Sequence, residues 1–481
     1  MTYRRVVVAC VLGAFCVGCT VGPNYRRPAV DVPAAYRGAG AQAAAPGTLE
    51  LGDIDWETIF TDPELQGLIR AALAANADLQ IAATRILQAQ AQLTSTRSQQ
   101  WPTINGQADA EYTGYVGKSR SPLTPAQTFT PEAGLSIGWE VDFWGKYRRG
   151  TEGARAQLLA SHDARDAVVI SLIAQVAQRY FDLRTLDLEL EIARRTLLSR
   201  QESLDLVKAR LERGVAGILD VQQAENLYYT AAKAIPDLER QIAETEHLIN
   251  YLLGRTLAPV PRGRPLAEQI ALIPAPVGIP SQLLARRPDI RQAEQQLVAA
   301  NAQIGVATAS LFPAVTLTGF AGAGGTVISG QTFGPLGIFS VLPTITLPIF
   351  NAGRLDAKVK LAQAQTEEAV VQYRQTIQSA FREVADGIVD VQKRREFRVQ
   401  QDQLTRVLKE SSATARKRYD GGVSSYLEVL DTDRQLFQAE LDLSLAQRDE
   451  LGGFVKLYKA LGGGWQAVPP APGNDDELKG S

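Results

Sequence analysis

The chain has 481 residues, a formal net charge of −2 and hydrophobic side chains at 45% of its positions. This length allows one large core or several modules, and the absence of a basic patch argues against a nucleic-acid-binding protein. The sequence contains only two histidines, His162 and His247, which are far apart. We therefore expect no histidine-based metal site and no bound cofactor.

All three cysteines lie within the first 19 residues, which excludes a disulfide framework for the rest of the chain. Two arginines precede an apolar run that is too short to span a bilayer, and we interpret residues 1–18 as a secretory signal peptide. The small residues before Cys19 resemble a bacterial lipobox, although Cys16 stands where that motif usually has Leu. We expect cleavage before Cys19 and a covalent lipid on its sulfur. The alternative is cleavage nearby with no lipid.

Residues 19–75 form the next segment. Its first part is rich in Pro, Gly and Ala, which predicts an exposed tether that lies along a surface. Residues Trp56–Asn76 carry one apolar stripe and predict a short amphipathic helix. Asp62 is a suitable N-cap for this helix, and Pro63 stands at its first helical position.

The remainder of the chain contains one segment twice, at residues 76–254 and 287–462. Identical residues recur first at an offset of 211 and later at an offset of 208, as in Asp78 and Asp289, Pro102 and Pro313, Gly145 and Gly353, Gly214 and Gly422, Val215 and Val423, Gly254 and Gly462. A constant offset over such distances indicates an internal duplication and a quasi-symmetric molecule. The proline-rich residues 255–286 link the two copies, and residues 463–481 form a C-terminal tail.

Each copy begins with a helix and continues with two strands. Apolar and polar side chains alternate over residues 104–112, 135–143, 315–319 and 340–349, which predicts strands with one apolar and one polar face. Such strands fit a membrane β-barrel, although a soluble hairpin packed on a core would show the same apolar face. The stretch 117–130 and the glycine run Gly322, Gly324 and Gly325 predict turns, the latter on the extracellular side.

The polar faces of the first hairpin carry four carboxylates, at Asp109, Glu111, Glu140 and Asp142. A negatively charged barrel lumen that favours cations is one interpretation, and simple wetting of a water-filled face is the other. Four strands cannot close a barrel, and an open edge is not tolerated in lipid. If the hairpins lie in a membrane, several chains must therefore contribute strands.

Two very long helices follow the hairpins, over Lys146–Arg213 and Arg354–Asp420. At 1.5 Å per residue each would reach about 100 Å. In the first helix an apolar residue recurs every seventh position, at Val176, Leu183, Leu190, Leu197, Leu204 and Leu211, which favours coiled-coil-like packing. Each long helix stops at a glycine, Gly214 or Gly422, and the predicted return helices cover Ile218–Leu253 and Ser425–Leu461.

Several motifs resemble the signature of outer membrane factors, the TolC-like exit ducts of tripartite efflux pumps. They are Leu283–Glu294, Ala300–Gly305, Phe312–Pro313, Leu347–Arg354, Gly422–Asp431 and Ala460–Trp465. The resemblance covers nearly all of the chain after the signal peptide. It implies an α-helical protein with a membrane β-barrel. Three chains would contribute four strands each to a twelve-stranded barrel, which continues into a long coiled-coil-like helical barrel across the periplasm.

The same resemblance implies partners and a location. The partners would be a periplasmic adaptor protein and an inner-membrane pump. We expect the pump to belong to the proton-driven resistance-nodulation-division class. The protein would be a lipid-anchored lipoprotein of the bacterial outer membrane that extends into the periplasm. The turns Gly214–Val215 and Gly422–Val423–Ser424 would form its inner, periplasmic tip.

Carboxylates near the tip of the return helix line the narrowest part of the closed pore in this family, and Glu428 and Asp431 match these positions. Residues Ser425–Glu428 also form a complete capping box, so we favour capping for Glu428 and gating for Asp431. We expect Arg418 and Arg434 to be the basic partners of Asp431. In the first copy Gly217 and Asp220 take the positions of Ser425 and Glu428, so we do not assume that the two turns are equivalent.

The sequence has no Walker loop, nucleophile elbow or cluster of metal ligands, and we expect no enzyme. We expect instead a passive exit duct for drugs or other small toxic compounds, gated at its periplasmic tip. A duct for protein secretion is one alternative. The other is a periplasmic coiled-coil structural lipoprotein without a pore.

Overall fold

A computed structural model describes residues 20–37, 50–114, 127–269, 278, 280–328 and 330–463. The predicted signal peptide, the lipid site at Cys19 and all but the first residue of the predicted tail lie outside these residues. The chain divides into two compact units. The strand unit consists of Met1–Ala29, Arg85–His162 and Gln292–Arg374, and the helical unit consists of Val30–Thr84, Asp163–Arg291 and Gln375–Ser481.

The single amphipathic helix predicted before the repeats is in fact two helices, α1 (Trp56–Ile59) and α2 (Pro63–Ala75). The break has a local cause, because the residue before a proline is pushed out of the helical conformation. Asp62 is the N-cap of α2, as predicted, and its carboxylate accepts the backbone N–H of Glu64 at 3.0 Å. The same buried carboxylate also accepts the hydroxyl of Tyr180 at 2.7 Å.

The two copies match element by element. The first contains α3 (Ala77–Ser98), β1 (Thr103–Gly114), β2 (Gln127–Val141), α4 (Lys146–Glu212) and α5 (Ile218–Leu252). After a linker helix α6 (Pro280–Arg286), the second contains α7 (Pro288–Ala309), β3 (Ala314–Ile328), β4 (Gln331–Thr346), α8 (Arg354–Asp420) and α9 (Tyr426–Ala460). Equivalent helices have equal lengths of 22, 67 and 35 residues, which confirms the predicted plan of the repeat.

The four strands form one antiparallel sheet in the order β1-β2-β3-β4. Leu135 lies opposite Gly106 on one side and Ala321 on the other, so the predicted apolar faces of the neighbouring strands lie on the same side of the sheet. The polar faces align in the same way, since Asn105 lies opposite Ser136, and Thr316 lies between Glu140 and Thr344.

The strands are longer than the alternation predicted. The turn predicted over 117–130 is wrong for its last four residues, because β2 already begins at Gln127. The extracellular turn predicted at Gly322, Gly324 and Gly325 is also wrong, because β3 continues through all three. A Cβ atom on Gly322 would lie 2.7 Å from the Cα of Gly134 on β2. These glycines therefore permit close contact between strands rather than a turn.

The apolar residues at the sevenfold spacing of α4 face the interior of the helical unit. Val176, Leu183 and Leu204 are buried, and Leu190 and Leu211 pack against buried clusters of the helical unit, as the sevenfold spacing predicted. Among the described helices, none is both long enough and apolar enough to cross a membrane.

Candidate functional site: two helical turns and a buried polar layer

Both tight turns of the helical unit are built on a glycine in the left-handed conformation. Gly214 has a φ of +72° and Gly422 a φ of +71°, and a Cβ atom on either would meet nothing within 4 Å. Glycine is therefore required here for its backbone freedom and not for space. The next residue closes each helix end, since the N–H of Val215 donates to the carbonyl of Arg210 at 2.9 Å and that of Val423 to Arg418 at 3.0 Å.

The turns present apolar side chains to solvent. Their exposed fractions lie between 61% and 74%, at Val215, Ile218, Leu219, Val423 and Leu427. We call these five residues the apolar tip. Single exposed apolar residues are normal, but a group at the end of two adjacent turns is typical of an interaction site.

Glu428 does not cap its helix. Ser425 makes no side-chain capping hydrogen bond, and the carboxylate of Glu428 lies 3.6 Å from Nε of Arg418. The capping box predicted at Ser425–Glu428 is therefore wrong, because the Glu428 carboxylate pairs with Arg418 of the preceding helix instead of the backbone.

The first copy, in which we expected no serine cap, does have a side-chain cap. The carboxylate of Asp220 accepts the backbone N–H of Gly217 at 2.9 Å. The arginine equivalent to Arg418 is Arg210, and its guanidinium lies 4.2 Å above the ring of Tyr419. Arg210 stacks on Tyr419, and Asp220 accepts a backbone hydrogen bond. The equivalent residues of the second copy, Arg418 and Glu428, pair with each other, so the two turns are not equivalent.

Asp431 lies on the exposed side of α9, three residues beyond Glu428. One carboxylate oxygen lies 3.0 Å from Nη2 of Arg434, and the other accepts from Nε2 of Gln435 at 2.6 Å. Arg434 was predicted as a partner, but the predicted pairing with Arg418 is wrong, since Arg418 contacts Glu428. The role of Asp431 at a pore axis stays a prediction.

A buried polar layer, which the sequence analysis missed, lies behind the turns. The carboxylate of Asp433 accepts from Oγ of Ser412 at 2.6 Å and from Nη2 of Arg416 at 2.7 Å. The guanidinium of Arg200 lies 4.8 Å from the ring of Phe437 and donates to the carbonyl of Leu227 at 2.6 Å. Asp433 is 9% exposed and Arg200 only 3%.

The layer separates two apolar clusters. One surrounds Tyr426 at the turns, and the other surrounds Phe437 further along the bundle. Val429, Asp433 and Phe437 are spaced by four and share one helix face. A carboxylate in an otherwise apolar stripe was the sequence signal that could have revealed the layer.

Burial has electrostatic consequences in this layer. It lowers the pKa of the Arg200 guanidinium, an effect that the nearby Asp433 carboxylate opposes. Burial also raises the pKa of Tyr426 to about 12. Nε and Nη2 of Arg200 and Nε of Arg416 are buried and have no hydrogen-bond partner among the described residues. A charged layer that is only partly satisfied is costly to the folded state.

The four predicted lumen carboxylates have different surroundings in the strand unit. Asp109 lies on β1 opposite Glu132 of β2, a fifth carboxylate that was missed because its stretch follows a predicted turn. Glu111, also on β1, accepts from Oγ1 of Thr113 at 3.2 Å.

The other two carboxylates contact the start of α4. Glu140 lies 3.0 Å from Nζ of Lys146 and accepts the hydroxyl of Tyr147 at 2.7 Å. Asp142 lies just beyond the end of β2, and its carboxylate accepts the backbone N–H of Arg148 at 2.9 Å. Both are therefore paired, and a charged lumen stays a prediction. No group of three or more His, Cys, Asp or Glu side chains in the described part of the chain could hold a metal ion.

The model of the family described as outer membrane efflux proteins matches residues 68–255 and again residues 279–463. The chain belongs to the outer membrane efflux protein family. The two matches correspond to the two copies of the repeat, and the resemblance inferred from the motifs is confirmed.

Individual members of the family are similar over nearly their full length. CusC, a cation efflux system protein of Escherichia coli, is 35% identical over 468 residues, 95% of this chain and 99% of CusC. SrpC, a solvent efflux pump outer membrane protein of Pseudomonas putida, is 37% identical over 456 residues, 93% of this chain and 96% of SrpC. The solved structure of the outer-membrane channel OprN has a TM-score of 0.84 at 31% identity, covering 93% of this chain and all of that one.

These similarities show the fold and the general function of this efflux protein. Its four-stranded sheet and paired long helices are those of outer-membrane channels, and it acts in efflux at the outer membrane. The expected exit duct is confirmed at this level. The comparisons do not favour a secretion duct or a scaffold without a pore.

Proposed function

We propose that three copies of this efflux protein form the passive exit duct of a tripartite pump for drugs or other small toxic compounds. The observation that carries the proposal is the open sheet. Strands β1 and β4 each have a partner on one side only, and an open strand edge is not tolerated in lipid. Three copies would supply twelve strands, which exceeds the eight or so needed for the smallest closed barrel.

A periplasmic adaptor and an inner-membrane pump complete the proposed assembly. The exposed side chains of the apolar tip support this part, since such a group gains stability when a partner covers it. CusC is named for cation efflux and SrpC for solvent efflux. Their sequence identities to this chain are nevertheless nearly equal, at 35% and 37%. We therefore assign the choice of substrate to the pump rather than to the duct.

The resting duct is closed at the periplasmic tip in this proposal. Threefold symmetry would bring three copies of Asp431 and Glu428 near one axis, and the like charges would need balancing neighbours. Arg434 beside Asp431 and Arg418 beside Glu428 supply that balance. Contact with the partners would open the closed tip.

A lipid on Cys19 is the last part of the proposal. The segment that follows Cys19 lies against the strand unit, where the N–H of Val21 donates to the carbonyl of Trp144 at 3.0 Å. Arg149 donates to the side chain of Asn24 at 2.6 Å. The described residues that follow Cys19 are therefore held close to the end of β2 and the start of α4. Labelling with a fatty-acid probe should mark the wild type and not Cys19→Ala, and equal labelling of both would refute lipidation.

The central test is the behaviour of the purified protein in mild detergent and in planar bilayers. We expect a trimer by analytical ultracentrifugation and discrete ion conductance after reconstitution. A monomer, or a trimer that never conducts after addition of adaptor and pump, would contradict the exit-duct proposal.

A further inference from the structure

Arg200 is a buried cation in the interior of the helical unit. Only 3% of its surface is exposed. Leu204, about one helical turn later on α4, is 4% exposed and belongs to the apolar cluster at the turns. A charged side chain in such a position is normally paired with an opposite charge. An arginine at this position therefore requires a negatively charged partner.

The contacts of Arg200 satisfy only part of its guanidinium. Nη1 donates to the backbone carbonyl of Leu227 on α5 at 2.6 Å, and the ring of Phe437 on α9 lies 4.8 Å away. Neither contact supplies a full negative charge. Nε and Nη2 are buried and have no hydrogen-bond partner in the described part of the chain. One edge of the guanidinium is therefore without an acceptor there.

That edge is the one with which other arginines of this chain hold an anion. Nε and Nη2 of Arg27 each donate to a carboxylate oxygen of Glu294 at 2.6 Å. Nε and Nη2 of Arg287 donate to the two oxygens of Asp289 at 3.0 Å and 2.6 Å. The two N–H groups of this edge point the same way, so a single anion can accept from both.

Asp433, the acidic residue of the same layer, is already engaged. Its carboxylate accepts from Ser412 and from Arg416, and Arg200 forms no ion pair with it or with another carboxylate of the described ranges. Burial lowers the pKa of the Arg200 guanidinium more than the Asp433 charge raises it. The positive charge of Arg200 is therefore not balanced by Asp433.

The internal repeat identifies Arg200 as the surplus charge. Arg416 and Asp433 follow Lys208 and Glu225 by 208 positions. Lys208 pairs with Glu225 at 3.1 Å, as Arg416 pairs with Asp433 at 2.7 Å. The position equivalent to Arg200 in the second copy of the repeat is apolar. Each copy thus has its own balanced pair, and Arg200 is an additional positive charge in the first copy.

We propose that the free edge of Arg200 binds one small monovalent anion of the size of chloride. Water would satisfy the two N–H groups but would leave a buried charge without a counter-ion, which strongly destabilises a folded state. One negative charge balances Arg200, whereas a doubly charged anion would create a new excess. The anion is small because apolar clusters lie on both sides of the layer.

The contacts of Arg200 give the anion a structural role. They reach α5 of the same copy of the repeat through Leu227 and α9 of the other copy through Phe437. An anion that neutralises Arg200 therefore stabilises the packing of the two copies behind the turns. This role does not depend on the proposed duct, because it requires only the fold of one chain.

Thermal unfolding in different salts tests the site. The full-length protein in mild detergent is compared in sodium chloride and in sodium gluconate at equal ionic strength, since gluconate is too large for an enclosed site. We expect chloride to raise the unfolding temperature by about 2–4 °C, and the rise to saturate as the site fills. An unfolding temperature that is the same in both salts would overturn the proposal.

Two variants separate the site from a general effect of salt. Arg200→Leu introduces the residue that the second copy has at Leu408, and it should abolish the difference between the salts. Arg194→Leu is a matched control on the same helix, because Arg194 forms an exposed pair with Glu239. This control should retain the full difference. An equal effect of chloride on the wild type and on Arg200→Leu would contradict an anion at Arg200.

A third variant serves if Arg200→Leu does not assemble. Arg200→Lys keeps the positive charge but lacks the two parallel N–H groups, so half of the stabilisation should require about ten times more chloride. An unchanged chloride requirement in Arg200→Lys would show that the guanidinium edge does not hold the anion.

Crystals grown in sodium bromide locate the anion, because bromide scatters anomalously. The expected peak lies beside Nε and Nη2 of Arg200. A peak there without any stabilisation by chloride or bromide would indicate an adventitious ion only. The absence of a peak there would show that water occupies the edge. Either result would overturn the proposed site.

Discussion

The carboxylate of Asp433 lies 2.7 Å from the guanidinium of Arg416 and 2.6 Å from the hydroxyl of Ser412, with only 9% of the aspartate exposed. Asp433→Ala would leave these two donors and the buried Arg200 without their carboxylate. Breaking such a pair costs about 3 kcal/mol. We expect a clear fall in the thermal unfolding temperature followed by circular dichroism. Asp431→Ala, which removes an exposed pair on the same helix, should leave that temperature nearly unchanged.

Replacing a turn glycine by a residue that disfavours the left-handed conformation should destabilise the protein. Gly422→Ala should lower the free energy of unfolding by about 1–2 kcal/mol, because an L-residue resists a φ of +71°. The neighbouring Gly421 does not adopt this conformation, so Gly421→Ala is a matched control that should be neutral or slightly stabilising. Equal losses in the two variants would show that flexibility, and not the sign of φ, matters at this turn.

The two turns should respond differently to loss of their equivalent carboxylates. Asp220→Ala removes the acceptor for the N–H of Gly217 and should destabilise the start of α5 by about 1 kcal/mol, as for other lost caps. Glu428→Ala breaks only a partly exposed pair with Arg418, which is worth at most about 1 kcal/mol. Hydrogen exchange at the first turns of α5 and α9 measures the two effects separately. Greater opening of α9 in Glu428→Ala would restore the capping role.

Asp431 should control the conductance of the closed duct if the proposed gate is correct. Asp431→Ala should raise the conductance of the isolated protein in planar bilayers and lower its preference for cations, because a ring of like charge is removed at the axis. Asp442→Ala, further along α9, is a control that should change neither. Unchanged conductance and selectivity in Asp431→Ala, with a change in another tip residue, would place the gate elsewhere.

The two faces of the sheet should differ in their tolerance of charge. Leu135 lies near the middle of β2 on the apolar face and is 55% exposed. Leu135→Arg should reduce the yield of assembled trimer, because a charge facing lipid near the bilayer midplane costs about 2–4 kcal/mol. Ser136→Arg places the same charge on the opposite face and should assemble more efficiently. The reverse order of trimer yields on mild-detergent gels would show that the lipid and water faces are exchanged.

Val141→Arg is a weaker probe of the lipid face than Leu135→Arg, because Val141 is the last residue of β2. Charge costs fall to about 0–1 kcal/mol towards the ends of a membrane strand. Its effect on trimer yield should therefore be smaller than that of Leu135→Arg.

The sequence alone predicted the features that depend on local periodicity and backbone freedom. The long helices end within one residue of their predicted bounds, because a glycine such as Gly422 ends a helix wherever φ must become positive. Alternation predicted the faces of the strands, and the repeat predicted that both copies contain the same sequence of helices and strands. The helix-ending glycines and the alternation can be recognised within short stretches of sequence, and the repeat is recognised by comparing the two halves of the chain.

Only the tertiary structure decided which partner each polar side chain has. Glu428 pairs with Arg418 instead of capping α9, and Asp433 is buried rather than exposed. The glycines around Gly322 allow strands to approach closely. Each outcome depends on atoms that another helix or strand brings near. The local sequence pattern indicates which secondary structure a segment can form by itself. Burial and hydrogen-bond partners depend instead on contacts between residues that are far apart in the chain.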